Sequence, residues 1–295
     1  MIDELRHFLL IVELGTFTEA ARRAHLSQPA LTASIHRLEA LFQARLLERG
    51  PGGASPTAAG AALVSRARAA LAALEDGRRA VAEIEGLHAG EVRIGGGATV
   101  CTYLLPATLA AFRAEHPGVR FLLREANADE VEAMLHAGEL DLGVITSERG
   151  EPWFDDWLVL VAAPGLARPE AAPFVTFGKG STTRALLGRH FPGAEVVMEL
   201  GSIAAVKGNV RAGIGVALVS RSAVEHDLAA GRLVVVPHPA TPLLRPLMLV
   251  HRGVERLPPA AARLREMLLA RPPSAPTRPE APAAPRRARS KRRAR

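Results

Sequence analysis

Cysteine is nearly absent. Cys101 is the only one in 295 residues, which excludes an internal disulfide framework and any multi-cysteine metal site. Its plain reading is a small buried hydrophobe, and the alternative is a reactive thiol. Aromatic residues make up only 4% of the chain. No charge-free apolar run reaches the roughly 18 residues that a membrane-spanning helix needs. The opening Met1-Ile2-Asp3-Glu4 lacks the basic region of a secretion signal, so a cytoplasmic location is expected. Chemistry-bearing motifs are missing as well. There is no Walker-type phosphate loop, no metal-ligand cluster, no nucleophile elbow and no Cys–His arrangement, and Gly95-Gly96-Gly97 lacks the spacing of a dinucleotide fingerprint. Neither a catalytic centre, a metal nor a cofactor is expected.

What is present is enough apolar material, 48% of residues, for two or three cores. The net charge of +7 is misleading. Residues 271–295 hold nine Lys or Arg and one acid, Glu280, so the remaining 28 basic and 29 acidic side chains leave residues 1–270 at −1. The Pro-, Ala- and Arg-rich tail has little to bury and is expected to be disordered. It would either attract phosphates non-specifically or act only as a solubilising extension.

Near the amino end, Leu5, Phe8, Leu9 and Val12 share one helical face over residues 3–14, and Gly15 ends that helix. Thr16 with Glu19 fits a capping box for a short helix at 17–25. Ser27 caps a third helix that runs to Phe42, with Pro29 in the first turn, where its missing N–H costs nothing. Two short helices joined tightly, the second opened by a polar cap, are a helix-turn-helix. Gly50-Pro51-Gly52-Gly53 would be the tip of a small wing. In such a motif the leading residues of the second helix reach base edges. Gln28 can pair with an adenine edge, and Thr32 can donate, accept or offer its methyl. Ser27 would lie beside a phosphate, while Arg22, Arg23, His36 and Arg37 are candidates for backbone contacts. The alternatives are a capping Ser27, exposed filler at Gln28 and Thr32, and solvated arginines.

Thr57 opens a helix of about 30 residues, 58–87, with a heptad stripe of Leu63, Ala70, Gly77 and Ile84 alternating with Ala67, Leu74 and Val81. At roughly 45 Å it cannot bury that stripe alone. A symmetric dimer is the preferred reading; packing against its own chain is the alternative. Beyond Gly90 the pattern becomes strand, helix, strand, helix, strand up to Ile145, which implies a parallel sheet covered by helices. A second such unit starts near Leu158. Thr99, Thr102, Thr146, Ser181, Thr182, Gly201 and Ser202 fall where strands pass into helices, positions that suit either caps or an anion-binding cleft.

Residues 15–39, with Ser27-Gln28-Pro29-Ala30-Leu31-Thr32 and Leu38-Glu39 at their centre, closely resemble the winged helix-turn-helix of LysR-type transcription regulators. Leu46-Leu47-Glu48-Arg49, Thr57-Ala58-Ala59-Gly60, Val92-Arg93-Ile94-Gly95, Gly138-Glu139-Leu140-Asp141-Leu142-Gly143 and Val210-Arg211-Ala212-Gly213-Ile214-Gly215 extend the likeness over residues 3–269. The second sensor lobe resembles regulators of carbon-fixation and sulfur genes. The resemblance implies an α/β chain overall, divided into a winged helix-turn-helix (1–57), a linker and dimerisation helix (58–89), a two-lobed sensor like periplasmic binding proteins (90–270), and the tail (271–295). Lobe one would be 91–161 plus 244–269, and lobe two 162–243. The implied partners are double-stranded DNA, a small anionic effector in the sensor cleft, further copies forming a dimer or tetramer, and RNA polymerase. The rival readings are a regulator whose sensor needs no ligand and a solute-binding protein. Departures are visible. Gln43 replaces the usual glycine before the wing, Leu47 the usual phenylalanine, and Gly97-Ala98 a usual polar pair. The wing tip has no Lys or Arg, which leaves Arg49 as its phosphate contact.

Overall fold

A computed structural model describes residues 1–50, 53–84 and 90–273, the side chain of residue 83 excepted. Residues 274–295 of the expected disordered tail, the wing tip at 51–52 and the end of the linker lie outside those residues.

The first three helices are α1 (Ile2–Leu14), α2 (Phe17–Arg23) and α3 (Gln28–Phe42). They close around Phe8, Ile11, Ala20, Leu31, Ile35 and Leu38. Gly15 ends α1 in the left-handed conformation at φ 71°. Thr16 Oγ1 accepts from Glu19 N, as a cap should, but the Glu19 carboxylate turns to Arg22, so the expected capping box is only half formed. The wing is the hairpin of β1 (Leu47–Gly50) and β2 (Gly53–Pro56). Its return strand rests on the end of α1, where Ala54 N donates to Gly15 O at 2.6 Å.

Thr57 caps α4 (Ala58–Ile84) through Gly60 N at 3.0 Å. The heptad stripe of α4 divides. Leu63 and Ala67 are buried in the core of the amino-terminal module, whereas Leu74, Val81 and Ile84 are 39%, 61% and 77% exposed. On another face of the same helix, Ala72 and Asp76 are buried against the sensor.

Lobe one of the sensor holds β3 (Glu91–Gly96), α5 (Leu105–Glu115), β4 (Arg120–Glu125), α6 (Ala128–Ala137), β5 (Leu142–Ile145) and the last helix, α10 (Pro259–Ala270). β3 pairs in parallel with both β4 and β5, as the strand–helix rhythm predicts. A π-helical turn at Val100–Leu104 precedes α5, so this helical stretch begins before the expected residue 102. Lobe two holds β7 (Phe174–Phe177), α7 (Thr182–His190), β8 (Val196–Leu200), α8 (Ile203–Arg211), β9 (Ala217–Ser220), α9 (Arg221–Ala229) and β10 (Val234–Val235).

Two long strands run through both lobes: β6 (Glu151–Ala162) and β11 (Leu243–Val250), antiparallel to one another. The sheet is therefore mixed, not wholly parallel. β6 also begins seven residues before the Leu158 expected for the second unit. Trp153 and Phe154 pack in the lobe-one core, while Leu158, Leu160 and Ala162 pack in lobe two. The passage between lobes thus lies near residue 157, inside a strand, whereas the sequence reading placed it after residue 161. Alternating apolar residues in β6 point into different cores because successive side chains face opposite sides of a strand.

Candidate nucleic-acid interface and ligand cleft

α3 is held from behind so that its leading end stands free. Leu31, Ile35 and Leu38 anchor it, and the buried Ser34 Oγ shares a 2.7 Å hydrogen bond with His7 Nδ1 of α1. Glu39 Oε1 accepts from Leu46 N (2.8 Å) and Leu47 N (3.3 Å), which ties the start of the wing to α3. On the open side, Ser27, Gln28 and Pro29 are exposed and Thr32 is half-buried. Ser27 has the extended backbone of an N-cap, and its Oγ accepts from Ala30 N at 3.3 Å. The Gln28 amide is free to reach outward.

The basic residues separate into two kinds. Arg22 is paired with Glu19, and Arg37 Nε donates to Glu4 at 3.0 Å. The chain's amino terminus, then the backbone and Arg37, hold the Glu4 carboxyl down at about 2. Arg23 is exposed, with no hydrogen bond or ion pair among the described residues. Arg49 lies over the Phe17 ring, 4.1 Å from its centroid, and donates to Thr32 Oγ1 at 3.3 Å. His36 Nδ1 stands 3.6 Å from Glu39. Of the basic candidates, Arg23 and Arg49 thus make no ion pair among the described residues, although Glu19 attracts Arg23 through space.

The second feature is a cleft of about 310 Å³ between the lobes, a size suited to a small metabolite. Thr99, Thr146, Ser181, Thr182 and Gly201 line it. Thr102 does not: it is exposed within the π-helical turn. Ser202 does not either; it caps α8 by accepting from Ala205 N at 3.2 Å. Thr99 is 8% exposed, and its hydroxyl has no partner among the described residues. Ser181 stands at the N-cap of α7 without making a capping bond, so its hydroxyl and the first N–H groups of α7 are available.

Sequence reasoning missed the floor of this cleft. Arg245 of β11 stands directly opposite Asp156 of β6, at the crossing between lobes. Its Nε donates to Asp156 Oδ2 at 3.1 Å, and its Nη1 to Thr183 Oγ1 of α7 at 3.1 Å. Ser220 Oγ donates to the other Asp156 oxygen at 2.7 Å. Asp156 and Arg245 are 89 residues apart, so no local spacing could have joined them. Lys179 also lines the cleft and brings an exposed cation beside the α7 terminus.

Comparison with known proteins gives consistent matches. Residues 2–61 match the family described as bacterial regulatory helix-turn-helix protein, lysR family, and residues 85–273 match the LysR substrate binding domain. The uncharacterized HTH-type transcriptional regulator YeiE of Escherichia coli K12 is 33% identical over 89% of this chain and 94% of its own length. The RuBisCO operon transcriptional regulator of Allochromatium vinosum is 30% identical over 91% and 95%. Among solved structures, ArgP from Mycobacterium tuberculosis superposes with a TM-score of 0.68 at 22% identity, covering 90% of this chain and 95% of that one.

Proposed function

Because the chain belongs to the LysR family of DNA-binding transcriptional regulators, we propose that it reads an operator with Gln28 and Thr32 and is switched by a small anionic effector held between the two lobes of its sensor. The observation that carries the effector half of this reading is the pairing of two free groups across one cleft. Thr99 offers a hydroxyl with no protein partner from lobe one, and the uncapped start of α7 offers oriented N–H groups from lobe two. A helix N-terminus favours negative charge, and Lys179 adds to it. Arg245 is already engaged by Asp156, so it shapes the floor rather than supplying a free cation. Closing the lobes on the ligand would turn binding energy into displacement, provided that the ligand favours one of two lobe arrangements.

On the DNA side, Gln28 carries sequence reading, with Ser27, Pro29, Arg23 and Arg49 positioning the helix on phosphates. The exposed Leu74, Val81 and Ile84 stripe of α4 would pair with the same stripe of a second copy, and two such dimers would make a tetramer. Access of RNA polymerase to the promoter would follow the switch. The finer likeness to regulators of carbon-fixation genes rests on near 30% identity along most of the chain.

Thermal-shift screening of full-length protein against carboxylates and phosphate esters tests the effector reading. A stabiliser whose effect vanishes in Thr99→Val supports it. No stabiliser in a broad panel would favour a regulator whose sensor needs no ligand. Genome-wide mapping of bound sites tests the subgroup.

A further inference from the structure

The two walls of the cleft are charged differently. Among the described residues, the ionisable side chains that line it are Glu125, Lys179 and Arg245. Arg245 is taken by Asp156 at the floor. That leaves one charge of each sign, on opposite walls. Glu125 ends β4 in lobe one, and Lys179 precedes α7 in lobe two. Both are exposed, and neither makes a hydrogen bond or ion pair among the described residues.

The uncharged donors follow the same division. Lobe two offers the Ser181 hydroxyl and the first N–H groups of α7. On lobe one, Gly97 and Ala98 line the cleft without a side-chain donor, which leaves Thr99. Asn127 spends its Oδ1 on the start of α6, accepting from Glu130 N at 3.0 Å. On the adjoining rim Asp129 adds a second acid of lobe one. Lobe two is therefore the wall built for an anion, whereas the charge on lobe one is negative.

Closure makes this division matter. The walls already approach each other at the mouth, where a Cβ on Gly180 of lobe two would lie 3.8 Å from Asn127 Nδ2 of lobe one. Expelling water strengthens every charge–charge interaction between the walls, and it makes a carboxylate without a counter-ion costly. A ligand with anionic groups alone satisfies Lys179 and α7 but leaves Glu125 uncompensated. A ligand that also carries a cation satisfies both walls.

We propose that the effector bears a protonated amine beside its anionic group, as amino acids do, and that Glu125 is the residue that selects for it. This rests on the effector reading above and narrows it. The anionic end meets Lys179 and the start of α7, the ammonium donates to Glu125, and Ile145, Phe177 and Leu247 pack against the apolar body.

The test uses full-length protein and matched pairs of probes. Each protein amino acid, and O-phosphoserine, is set against the acid in which hydrogen or hydroxyl replaces the α-amino group. Thermal shift finds the pairs with a stabilising member, and calorimetry gives Kd for both members. In the wild type the amine-bearing member should bind about tenfold or more tightly than its partner. In Glu125→Gln, which keeps the size of the side chain, that gap should shrink to about threefold or less, with the loss confined to the amine-bearing member. Lys179→Gln should weaken both members alike and leave the gap in place. Equal affinity within the wild-type pairs, or a Glu125→Gln loss shared by both members, would overturn the proposal and leave the anionic-effector reading standing. If no member of any pair stabilises the protein, both fall together.

Discussion

The Arg49 guanidinium bridges the wing to the recognition helix, donating to Thr32 Oγ1 at 3.3 Å while lying 4.1 Å over the Phe17 ring. One side chain thus touches α2, α3 and β1 together. Its position follows from Glu39, which holds the start of β1 against α3. The bond into a Thr32 lone pair leaves the hydroxyl proton free to donate outward. Arg49→Met keeps the apolar stem against Phe17 but removes the donor and the charge. Operator affinity should fall about tenfold, and the slope of log affinity against log salt should become shallower by about one. Fluorescence anisotropy at four salt concentrations reads both, and an unchanged slope would mean that Arg49 meets no phosphate.

Gln28 is exposed at the first position of α3, with its backbone held by the Ser27 cap. Gln28→Ala should therefore cost roughly 1–3 kcal/mol on the selected operator and almost nothing on random duplex. Equal losses on both would assign Gln28 to positioning, not base reading.

Leu74 is 39% exposed in the single chain, in line with Val81 and Ile84 further along α4. Leu74→Asp should shift sedimentation toward the monomer while leaving the circular dichroism spectrum intact. A sedimentation coefficient equal to that of the wild type would refute the α4 pairing.

Asp227 in lobe two accepts from Lys207 (2.9 Å), Arg211 (3.1 Å) and Arg232 (2.9 Å). Burial works against its charged form, but these cations outweigh burial and bring the carboxyl down to about 2. A depressed folded-state value gives stability that is present above the ordinary carboxylate range and is lost as pH falls toward 2, because the unfolded chain binds the proton first. Asp227→Asn should flatten the dependence of urea midpoint on pH between about 4 and 2, by close to one proton. The same slope in wild type and variant would show that Asp227 does not drive the loss.

Cys101 is 8% exposed, and its Sγ donates to Gly96 O at 3.3 Å. Burial, with the negative charge of Glu125 behind it, pushes the thiol up to about 12, so thiolate is scarce at neutral pH. A thiol reagent at pH 8 should label native protein very slowly and urea-unfolded protein at once. Rapid native labelling would restore the reactive-thiol reading.

Much of the amino-terminal module was legible in order along the chain. Gly15, Thr16 and Ser27 are local signals, and each closes or opens a helix within a few residues of itself. The same holds for Ser181 and Ser202, which stand at helix starts as expected. Their uses differ, however, and spacing alone could not tell them apart. Ser202 spends its oxygen on Ala205 N, whereas Ser181 keeps its hydroxyl free beside the cleft. The strand–helix rhythm gave the parallel core of lobe one but not the antiparallel β6 and β11. Nothing in a run of apolar residues tells which neighbour a strand will pair with.

Local chemistry in the chain was sufficient to specify the helices, their caps, the wing and the exposed Gln28, because each of those choices is settled by contacts a few residues apart. Three-dimensional folding alone decided where the lobes divide, that Arg245 meets Asp156 on the cleft floor, and that α4 gives its first turns to the DNA-reading module and, further on, one face to lobe one while another stays uncovered. Those outcomes depend on groups 60 to 180 residues apart, such as Arg79 with Asp141 and Asp76 with Arg252, whose attraction becomes strong only once folding has removed the water between them.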